Sequence, residues 1–243
     1  MKRHIPNMLT CANLLCGAMA TIYALYFSPT FALLCIVLGA VFDFFDGFAA
    51  RLLGVQGPMG KELDSLADVV TFGLAPAMML LMFLGNIGRE LPFVYFALSY
   101  AALLILPFSA LRLAKYNIDT RQSHSFIGLP TPANALFWAA LVASLWEMPL
   151  RDWPSNELLL LYISLIVIVA LSCWILVAEV PMFALKVKDY SWRNNRLRYL
   201  FLLAALVLSI GGWLLGFYGL GISASILLYV LLSAATQRKA VTQ

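Results

Sequence analysis

Residues 30–50 read TFALLCIVLGAVFDFFDGFAA, a nearly continuous apolar run. A helix of about 20 apolar residues is long enough to cross the hydrocarbon core of a bilayer. The run also contains Asp43 and Asp46, and acidic side chains inside a membrane span are costly and therefore rare. These residues predict a transmembrane helix that carries a functional site.

The rest of the chain is equally apolar. Of its 243 residues, 63% are hydrophobic and 12% are charged, whereas a soluble domain carries about 25% charged residues. This composition excludes a soluble enzyme, a nucleic-acid-binding domain and a secreted disulfide scaffold. Seven further segments have the same apolar character as residues 30–50, namely 8–27, 64–85, 91–113, 132–149, 158–178, 198–215 and 217–236.

The eight segments predict an all-α integral membrane protein, a polytopic bundle of about eight transmembrane helices. We expect one domain over residues 1–243, with its C-terminal spans at about 158–236. The glycine-rich region between the last two segments leaves open a single broken or re-entrant element there. A count of seven spans would place the C-terminus on the other side of the membrane.

The positions of the basic residues predict the orientation. With eight spans, fourteen of the sixteen Lys and Arg residues lie on one side of the membrane, and only Arg89 and Arg151 lie on the other. Basic residues concentrate in cytoplasmic segments, so both termini are expected in the cytoplasm. The apolar run after Lys2 and Arg3 continues to Phe27, which predicts an uncleaved first span.

Four aspartates lie close to the inside loop that joins the second and third spans. Asp43 and Asp46 are three residues apart and Asp64 and Asp68 are four apart, so each pair shares one face of its helix. Facing helices would bring the four carboxylates together near the cytoplasmic boundary. We therefore expect an active site on the cytoplasmic side of the cytoplasmic membrane.

Four carboxylates at this depth need protons or cations to neutralise them, because desolvation and mutual repulsion both oppose the charged form. Oxygen ligands without nearby His or Cys suit Mg²⁺, Mn²⁺ or Ca²⁺ rather than zinc or copper. Four aspartates for two divalent ions are typical of a two-metal site for phosphoryl displacement. We predict two ions of Mg²⁺ or Mn²⁺ as the cofactor.

Small residues and one arginine stand beside the aspartates. Gly47 and Gly60 lower helix stability, which has a purpose if a ligand must approach the backbone there. Ala50, one helical turn from Gly47, leaves room on the same face. Arg51 either pairs with a phosphate or extends to lipid headgroups, and the sequence favours neither role.

The pattern D-x-x-D-G-x-x-A-R, eight residues, G-x-x-x-D-x-x-x-D over residues 43–68 resembles the signature of the CDP-alcohol phosphotransferases, integral membrane enzymes of phospholipid synthesis, at every position. The resemblance implies transfer of a phosphatidyl-type group from a CDP-linked donor to an alcohol, with release of CMP. It also implies that Asp43, Asp46 and Asp64 ligate metal, and it implies a homodimer. Asp68 would help to bind the metal and act as general base on the acceptor hydroxyl.

Three more stretches resemble the serine-using branch of that family, the membrane-embedded phosphatidylserine synthases: Pro6–Asn13, Leu111–Asn117 and Phe126–Ala133. Lys115 and Tyr116 stand where Arg and Phe are expected, which keeps the charge and the ring but loses any bidentate contact. The resemblance covers about residues 5–135. It implies CDP-diacylglycerol and L-serine as substrates, in contact with membrane lipids.

For the CDP-lipid we predict seven binding residues: Asn7, Thr10, Asn13, Gly47, Ala50, Arg51 and Gly60. Asn7, Thr10 and Asn13 are spaced at three residues, so they line one helical face and can hydrogen-bond the head of the donor. A role for Asn7 or Thr10 at the helix start explains part of this pattern equally well.

Serine is a zwitterion, so its pocket needs a cation for the carboxylate and acceptors for the ammonium group. Arg112, Lys115 and Asn117, at the cytoplasmic end of the fourth span, are the predicted serine-binding residues, together with Arg121. The alternative is that these charges are only anchors on the cytoplasmic side.

Two other functions fit part of the pattern. The same site could use glycerol 3-phosphate or inositol phosphate, which need a larger cationic pocket than a carboxylate does. Paired intramembrane aspartates also occur in cation transporters, but here no acidic residue continues the path through the middle of the membrane.

Overall fold

The structure is a computed structural model that describes residues 4–118, 126–182 and 192–241. Within these ranges the chain is almost entirely helical. In chain order the α-helices are α1 (His4–Leu25), α2 (Pro29–Leu52), α3 (Pro58–Asp68), α4 (Ala75–Gly88), α5 (Phe93–Leu98), α6 (Ile105–Ile118), α7 (Thr131–Trp146), α8 (Ser155–Val177), α9 (Trp192–Leu214) and α10 (Tyr218–Val241). The all-α prediction is confirmed.

Prolines and one glycine set the ends of the helices around the aspartates. Helices α2 and α3 begin at Pro29 and Pro58, where a proline costs nothing because the first backbone N–H of a helix has no acceptor. Between these helices Gly54 adopts φ = 64°, a left-handed conformation that favours glycine. Helix α3 therefore begins six residues before the predicted segment 64–85.

Two segments depart from α-helical geometry next to a proline. Val69–Leu74 forms a π-helical turn between α3 and α4, just before Pro76, which has no N–H to donate to the preceding turn. Ser99–Leu104 forms a 3₁₀ helix between α5 and α6, just before Pro107. Each segment continues into the next helix, so 58–88 and 93–118 each act as one span.

The described part of the chain has seven helical segments long and apolar enough to cross a membrane. The eighth predicted segment, 132–149, forms α7, whose 16 residues extend about 24 Å at 1.5 Å per residue. This is short of the roughly 30 Å hydrocarbon thickness of a bilayer. The prediction of eight spans therefore holds only if α7, a helix enclosed by protein, crosses the membrane.

Helix α7 lies at the centre of the core and packs against α2, α4 and α10. Its Trp138 is fully buried, and the indole Nε1 donates a hydrogen bond of 3.2 Å to Ser172 Oγ on α8. Ser144 Oγ accepts a hydrogen bond of 3.0 Å from the backbone N–H of Leu220 on α10. A short helix can occupy this position because protein, rather than lipid, surrounds it.

The last two segments are separate helices, so the single broken element is not what forms. Helices α9 and α10 are joined by a turn at Gly216, with φ = 79°, and they pack against each other. A short antiparallel β-pair, β1 (Phe126–Ile127) with β2 (Pro181–Met182), joins the loops before α7 and after α8. No feature of the sequence predicted this pair.

The orientation and the role of α7 can be tested by labelling single cysteines in a variant without the four native cysteines. If eight spans cross the membrane, Gln56→Cys should react only from the cytoplasm, because it lies in the loop before α3. Glu90→Cys and Asn156→Cys should react with an impermeant reagent from outside. Labelling of Gln56→Cys from outside would show that the topology is the reverse of the predicted one. Labelling of Asn156→Cys only from inside would show that α7 does not cross the membrane.

Candidate active site

Three of the four aspartates form a tight cluster. Asp43 on α2 and Asp64 and Asp68 on α3 each present one carboxylate oxygen, and these oxygens all lie within 4.8 Å of one another. The four-residue spacing of Asp64 and Asp68 places both on one face of α3, where that face meets α2. The predicted meeting of the two helices is what the structure shows for these three residues.

The fourth aspartate, Asp46, stands beside this cluster. It is buried, and its Oδ2 lies 2.5 Å from Thr10 Oγ1 on α1. The same hydroxyl also lies 3.1 Å from the carbonyl oxygen of Pro6. Helix α1 therefore fixes the side chain of Asp46, a contact between residues 36 positions apart.

Asn13 supports Asp68 from the same helix. Its Nδ2 donates a hydrogen bond of 3.2 Å to Asp68 Oδ1, and both residues are buried. The backbone carbonyl of Asn13 accepts a hydrogen bond of 2.9 Å from Thr71 Oγ1 in the π-helical turn. The spacing of Asn13 from Thr10 predicted contact with the CDP-lipid, whereas the structure places Asn13 against Asp68.

Thr71 is the point where α1, α2 and the π-helical turn approach most closely. A Cβ atom at Gly17 would lie 2.7 Å from the Cα of Thr71, and one at Gly39 would lie 2.6 Å from its Cγ2. Contacts this short leave no room for a side chain. Both glycines are therefore needed for packing, a role that the sequence analysis missed.

The cluster suits a hard divalent cation. Asp64 Oδ1 is buried and has no hydrogen-bond partner among the described residues, and a buried carboxylate oxygen without a partner is costly. A cation would satisfy it, and the three clustered ligands are all carboxylate oxygens, which Mg²⁺, Mn²⁺ and Ca²⁺ prefer.

A polar cavity of about 780 Å³ adjoins the cluster. Asp46 and Asp64 form part of its wall, and six of the seven predicted CDP-lipid residues line it: Asn7, Thr10, Gly47, Ala50, Arg51 and Gly60. Asn13 is the exception. The wall also contains Gln56, Lys61 and Tyr116, which were not predicted. Gln56 and Lys61 lie within the 43–68 pattern, but at positions for which the pattern specifies no residue type.

Gly47 and Gly60, the two predicted glycines of the cavity wall, differ from Gly17. A Cβ atom at Gly47 would meet only the end of Arg51, at 3.6 Å, and one at Gly60 would meet Asn7 Oδ1 at 3.7 Å. These are ordinary contact distances, so protein packing does not require glycine at either position. The absent side chains instead leave space in the cavity, as predicted for an approaching ligand.

Of the three predicted serine-binding residues that the structure describes, Arg112 alone is buried. Only 7% of it is exposed, and its Nη1 donates a hydrogen bond of 3.1 Å to Thr131 Oγ1 on α7. The guanidinium lies 5.5 Å from the ring centre of Tyr116, and Tyr116 is part of the cavity wall. Arg112 is therefore a buried cation next to the cavity that adjoins the aspartate cluster.

The other predicted serine-binding residues have structural partners. Lys115 Nζ donates to the carbonyl oxygen of Val177 at 3.2 Å, and Asn117 Nδ2 donates to Ser65 Oγ at 2.8 Å. Lys61 Nζ donates to the carbonyl oxygen of Asn117 at 2.8 Å. These bonds tie the end of α6 to α3 and to the end of α8. Arg121 lies outside the described residues.

Comparisons with known proteins identify the family. The CDP-alcohol phosphatidyltransferase family matches residues 3–180. A Bacillus subtilis protein named CDP-diacylglycerol-serine O-phosphatidyltransferase is 42% identical over 131 residues, which cover 53% of this chain and 70% of that relative. Relatives of the same name occur in Methanocaldococcus jannaschii, 33% identical over 164 residues (68% of this chain, 70% of the relative), and in Helicobacter pylori, 38% identical over 134 residues. The chain spans 54% of the Helicobacter protein.

The fold and the site define a polytopic membrane protein with an acidic, cation-binding type of cluster beside a polar cavity. The chain belongs to the CDP-alcohol phosphatidyltransferase family. It is therefore a membrane-embedded phosphotransferase, as the resemblance of residues 43–68 predicted. Members of this family generally depend on a divalent metal, which agrees with the carboxylate cluster. A cation transporter, the alternative from another class, does not fit this membership.

The close packing at Thr71 gives a testable consequence. We expect Gly17→Ala to lower the free energy of unfolding by about 1–3 kcal/mol, because the added methyl group overlaps the Thr71 backbone. Activity should fall as well, because Thr71 and Asn13 hold Asp68.

Gly211→Ala is the matched control, since a Cβ atom there meets nothing within 4 Å and alanine favours a helix interior. Thermal unfolding in detergent micelles and CMP release measure the two effects. Equal stability of Gly17→Ala and Gly211→Ala would contradict the packing described at Thr71.

Proposed function

We propose that this chain is a CDP-diacylglycerol-serine O-phosphatidyltransferase, which transfers the phosphatidyl group of CDP-diacylglycerol to the hydroxyl of L-serine and releases CMP. The observation that carries the proposal is a buried arginine, Arg112, whose guanidinium lies against Tyr116 in the wall of the cavity that Asp46 and Asp64 also line. The names of the relatives support serine as the acceptor. A single buried guanidinium fits one carboxylate.

The cavity of about 780 Å³ is the site proposed for the cytidine diphosphate head of the donor. Its volume falls within the roughly 300–1,000 Å³ of ligand pockets. Arg51 and Lys61 supply positive charge for the two phosphates, and Asn7 offers an amide for hydrogen bonding. The space left at Gly47 and Gly60 lets the head lie close to α2 and α3.

Asp43, Asp64 and Asp68 are the residues proposed to hold two divalent ions, Mg²⁺ or Mn²⁺, with Asp46 completing the set. Such ions withdraw charge from the phosphate and stabilise the departing CMP. The Thr10 contact holds Asp46 where the cavity meets the cluster. Burial of these carboxylates among apolar helices opposes their charged form, and the one buried cation among the described residues, Arg112, cannot neutralise all four.

Asp68 is the proposed general base. The serine oxygen forms a bond to the β-phosphorus of the donor, the bond from that phosphorus to the bridging oxygen breaks, and CMP leaves with the electron pair. The serine hydroxyl proton passes to the Asp68 carboxylate. Asn13 Nδ2, at 3.2 Å from Asp68 Oδ1, orients this carboxylate and leaves its second oxygen to accept the proton.

On the acceptor side, Arg112 is the proposed partner of the serine carboxylate. Lys115 and Asn117 would act by holding the end of α6, because their side chains already bond Val177 and Ser65. Glycerol 3-phosphate and inositol phosphate remain the alternative acceptors, and each carries a phosphate that needs more positive charge than one guanidinium supplies. The described residues show no second buried Lys or Arg beside Arg112.

The positive charge of the cytoplasmic segments supports a place for this enzyme in the cytoplasmic membrane, with the active site facing the cytoplasm. CMP would then be released on the side where nucleotides are used. The homodimer implied by the family resemblance stays a prediction, which size measurement in detergent micelles can check.

Metal dependence can be measured directly. Purified protein with CDP-diacylglycerol and L-serine should lose CMP release in excess chelator and regain it with Mg²⁺ or Mn²⁺, while Zn²⁺ should restore little. The reason is that the clustered carboxylates are hard oxygen ligands. Full activity in excess chelator would contradict the metal site.

The role of Asp68 can be separated from metal binding. Asp68→Asn keeps the shape of the side chain but cannot accept a proton at neutral pH, so turnover should fall by about 10² to 10⁴. Binding of CDP-diacylglycerol in the presence of metal should persist, whereas Asp43→Asn should weaken donor binding as well.

Asp152→Asn, at an exposed loop position, is the control and should match the wild type. Donor affinity and CMP release are measured for each variant over a range of Mg²⁺ concentrations. Turnover of Asp68→Asn close to the wild-type rate would show that another group takes the proton.

A further inference from the structure

Buried polar atoms without a hydrogen-bond partner are confined to two places in the described part of the chain. Asn13 Oδ1 and Asp64 Oδ1 belong to the residues of the aspartate cluster. The other four are Ser109 Oγ, Arg112 Nε and both side-chain atoms of Asn134. Such atoms are rare in native proteins, and each requires an explanation.

The second group lies between α6 and α7. Arg112 and Thr131 are joined by a hydrogen bond across these helices. Ser109 precedes Arg112 by three residues and Asn134 follows Thr131 by three, so each lies one turn further along on the same face. Lys115 near the end of α6 and Leu129 just before α7 both bond the end of α8, so the chain reverses between the two helices. Ser109 and Asn134 each lie one turn beyond the Arg112–Thr131 bond on their own helix.

This polar group adjoins the aspartate cluster. A Cβ atom at Gly73, in the π-helical turn that follows Asp68, would lie 3.3 Å from the Cβ of Ser109. Arg112 lies against Tyr116, which lines the same cavity as Asp46 and Asp64. The group is also closed to bulk solvent, since Ser109 and Asn134 are fully buried.

The unpartnered atoms are of both kinds. Arg112 Nε and Asn134 Nδ2 are donors, whereas Asn134 Oδ1 and Ser109 Oγ can accept. Donors suit a carboxylate and acceptors suit an ammonium group. A zwitterionic amino acid satisfies both sets, whereas a phosphate would leave the acceptors without a partner.

We propose that Ser109 and Asn134, together with Arg112, form the binding site for the carboxylate and ammonium groups of the acceptor amino acid. The inference rests on the proposed function and extends it to two residues that the sequence analysis did not single out. Arg112 Nε and Asn134 Nδ2 bind the carboxylate, and Asn134 Oδ1 and Ser109 Oγ bind the ammonium group. The serine hydroxyl then projects toward Asp68, past the level of Arg112.

The test uses Asn134→Leu, which keeps the size of the side chain and removes both polar atoms, and Ser109→Ala. Asn134→Leu should raise the KM for L-serine at least tenfold, the usual effect of losing a hydrogen bond to a charged group. Ser109→Ala should raise it about threefold to tenfold. The KM for CDP-diacylglycerol should stay within about twofold of the wild-type value.

Two readouts separate binding from a structural role. Removal of an unpartnered buried group should leave the thermal stability of the substrate-free protein unchanged or raised, whereas removal of a structural hydrogen bond lowers it. The wild-type preference for L-serine over 3-hydroxypropanoate, which lacks the ammonium group, should shrink in both variants. Ser144→Ala is the matched control, because Ser144 is buried in α7 and bonded to Leu220; it should keep the wild-type KM for L-serine and the wild-type preference.

The outcomes distinguish this inference from the proposed function. Wild-type protein that releases no CMP with L-serine would refute the proposed function. Wild-type activity with an unchanged serine KM and preference in both variants would refute the inference alone, and the site would then hold a buried water. If Asn134→Leu fails to fold, the residue is structural, and the KM of Ser109→Ala decides whether the site binds serine.

Discussion

The structure depends on one constraint, which is that three carboxylate oxygens lie within 4.8 Å of one another among helices apolar enough to cross a bilayer. Charges buried in such surroundings must be matched by a cation or by protons. The chain supplies neutral donors for two of the aspartates, Thr10 for Asp46 and Asn13 for Asp68. Asp64 keeps an oxygen with no partner among the described residues. The arrangement is therefore that of a site built to receive a cation.

Helix α1 contributes no acidic residue, yet it holds the site together. Its Asn13 bonds both Asp68 and Thr71, so the α3 carboxylate and the π-helical turn are fixed by one side chain and its backbone. Gly17 and Gly39 let α1, α2 and the turn approach closely enough for these bonds to form. A π-helical turn next to functional residues is a common device, because it shifts the register of the following helix.

The two sides of the aspartate cluster differ in chemistry. Asp46 and Asp64 face the cavity, whose wall carries Arg51 and Lys61. Asp68 is buried and accepts a hydrogen bond from Asn13. In the function proposed above, the donor with its phosphates occupies the open side and the small acceptor the enclosed side, so that the reacting atoms would meet at the carboxylates between them.

The sequence by itself determined the membrane-spanning helices, the acidic pattern over 43–68 and six residues of the cavity wall. Apolar length and helical spacing are local properties, so they can be read without coordinates. Only the tertiary structure decided that Asn13 supports Asp68 and that Asp46 stands apart with Thr10. The same holds for the polar side-chain atoms of Ser109 and Asn134, which have no hydrogen-bond partner among the described residues. These contacts join residues up to 55 positions apart. Helix packing, rather than sequence spacing, determines which helix faces meet.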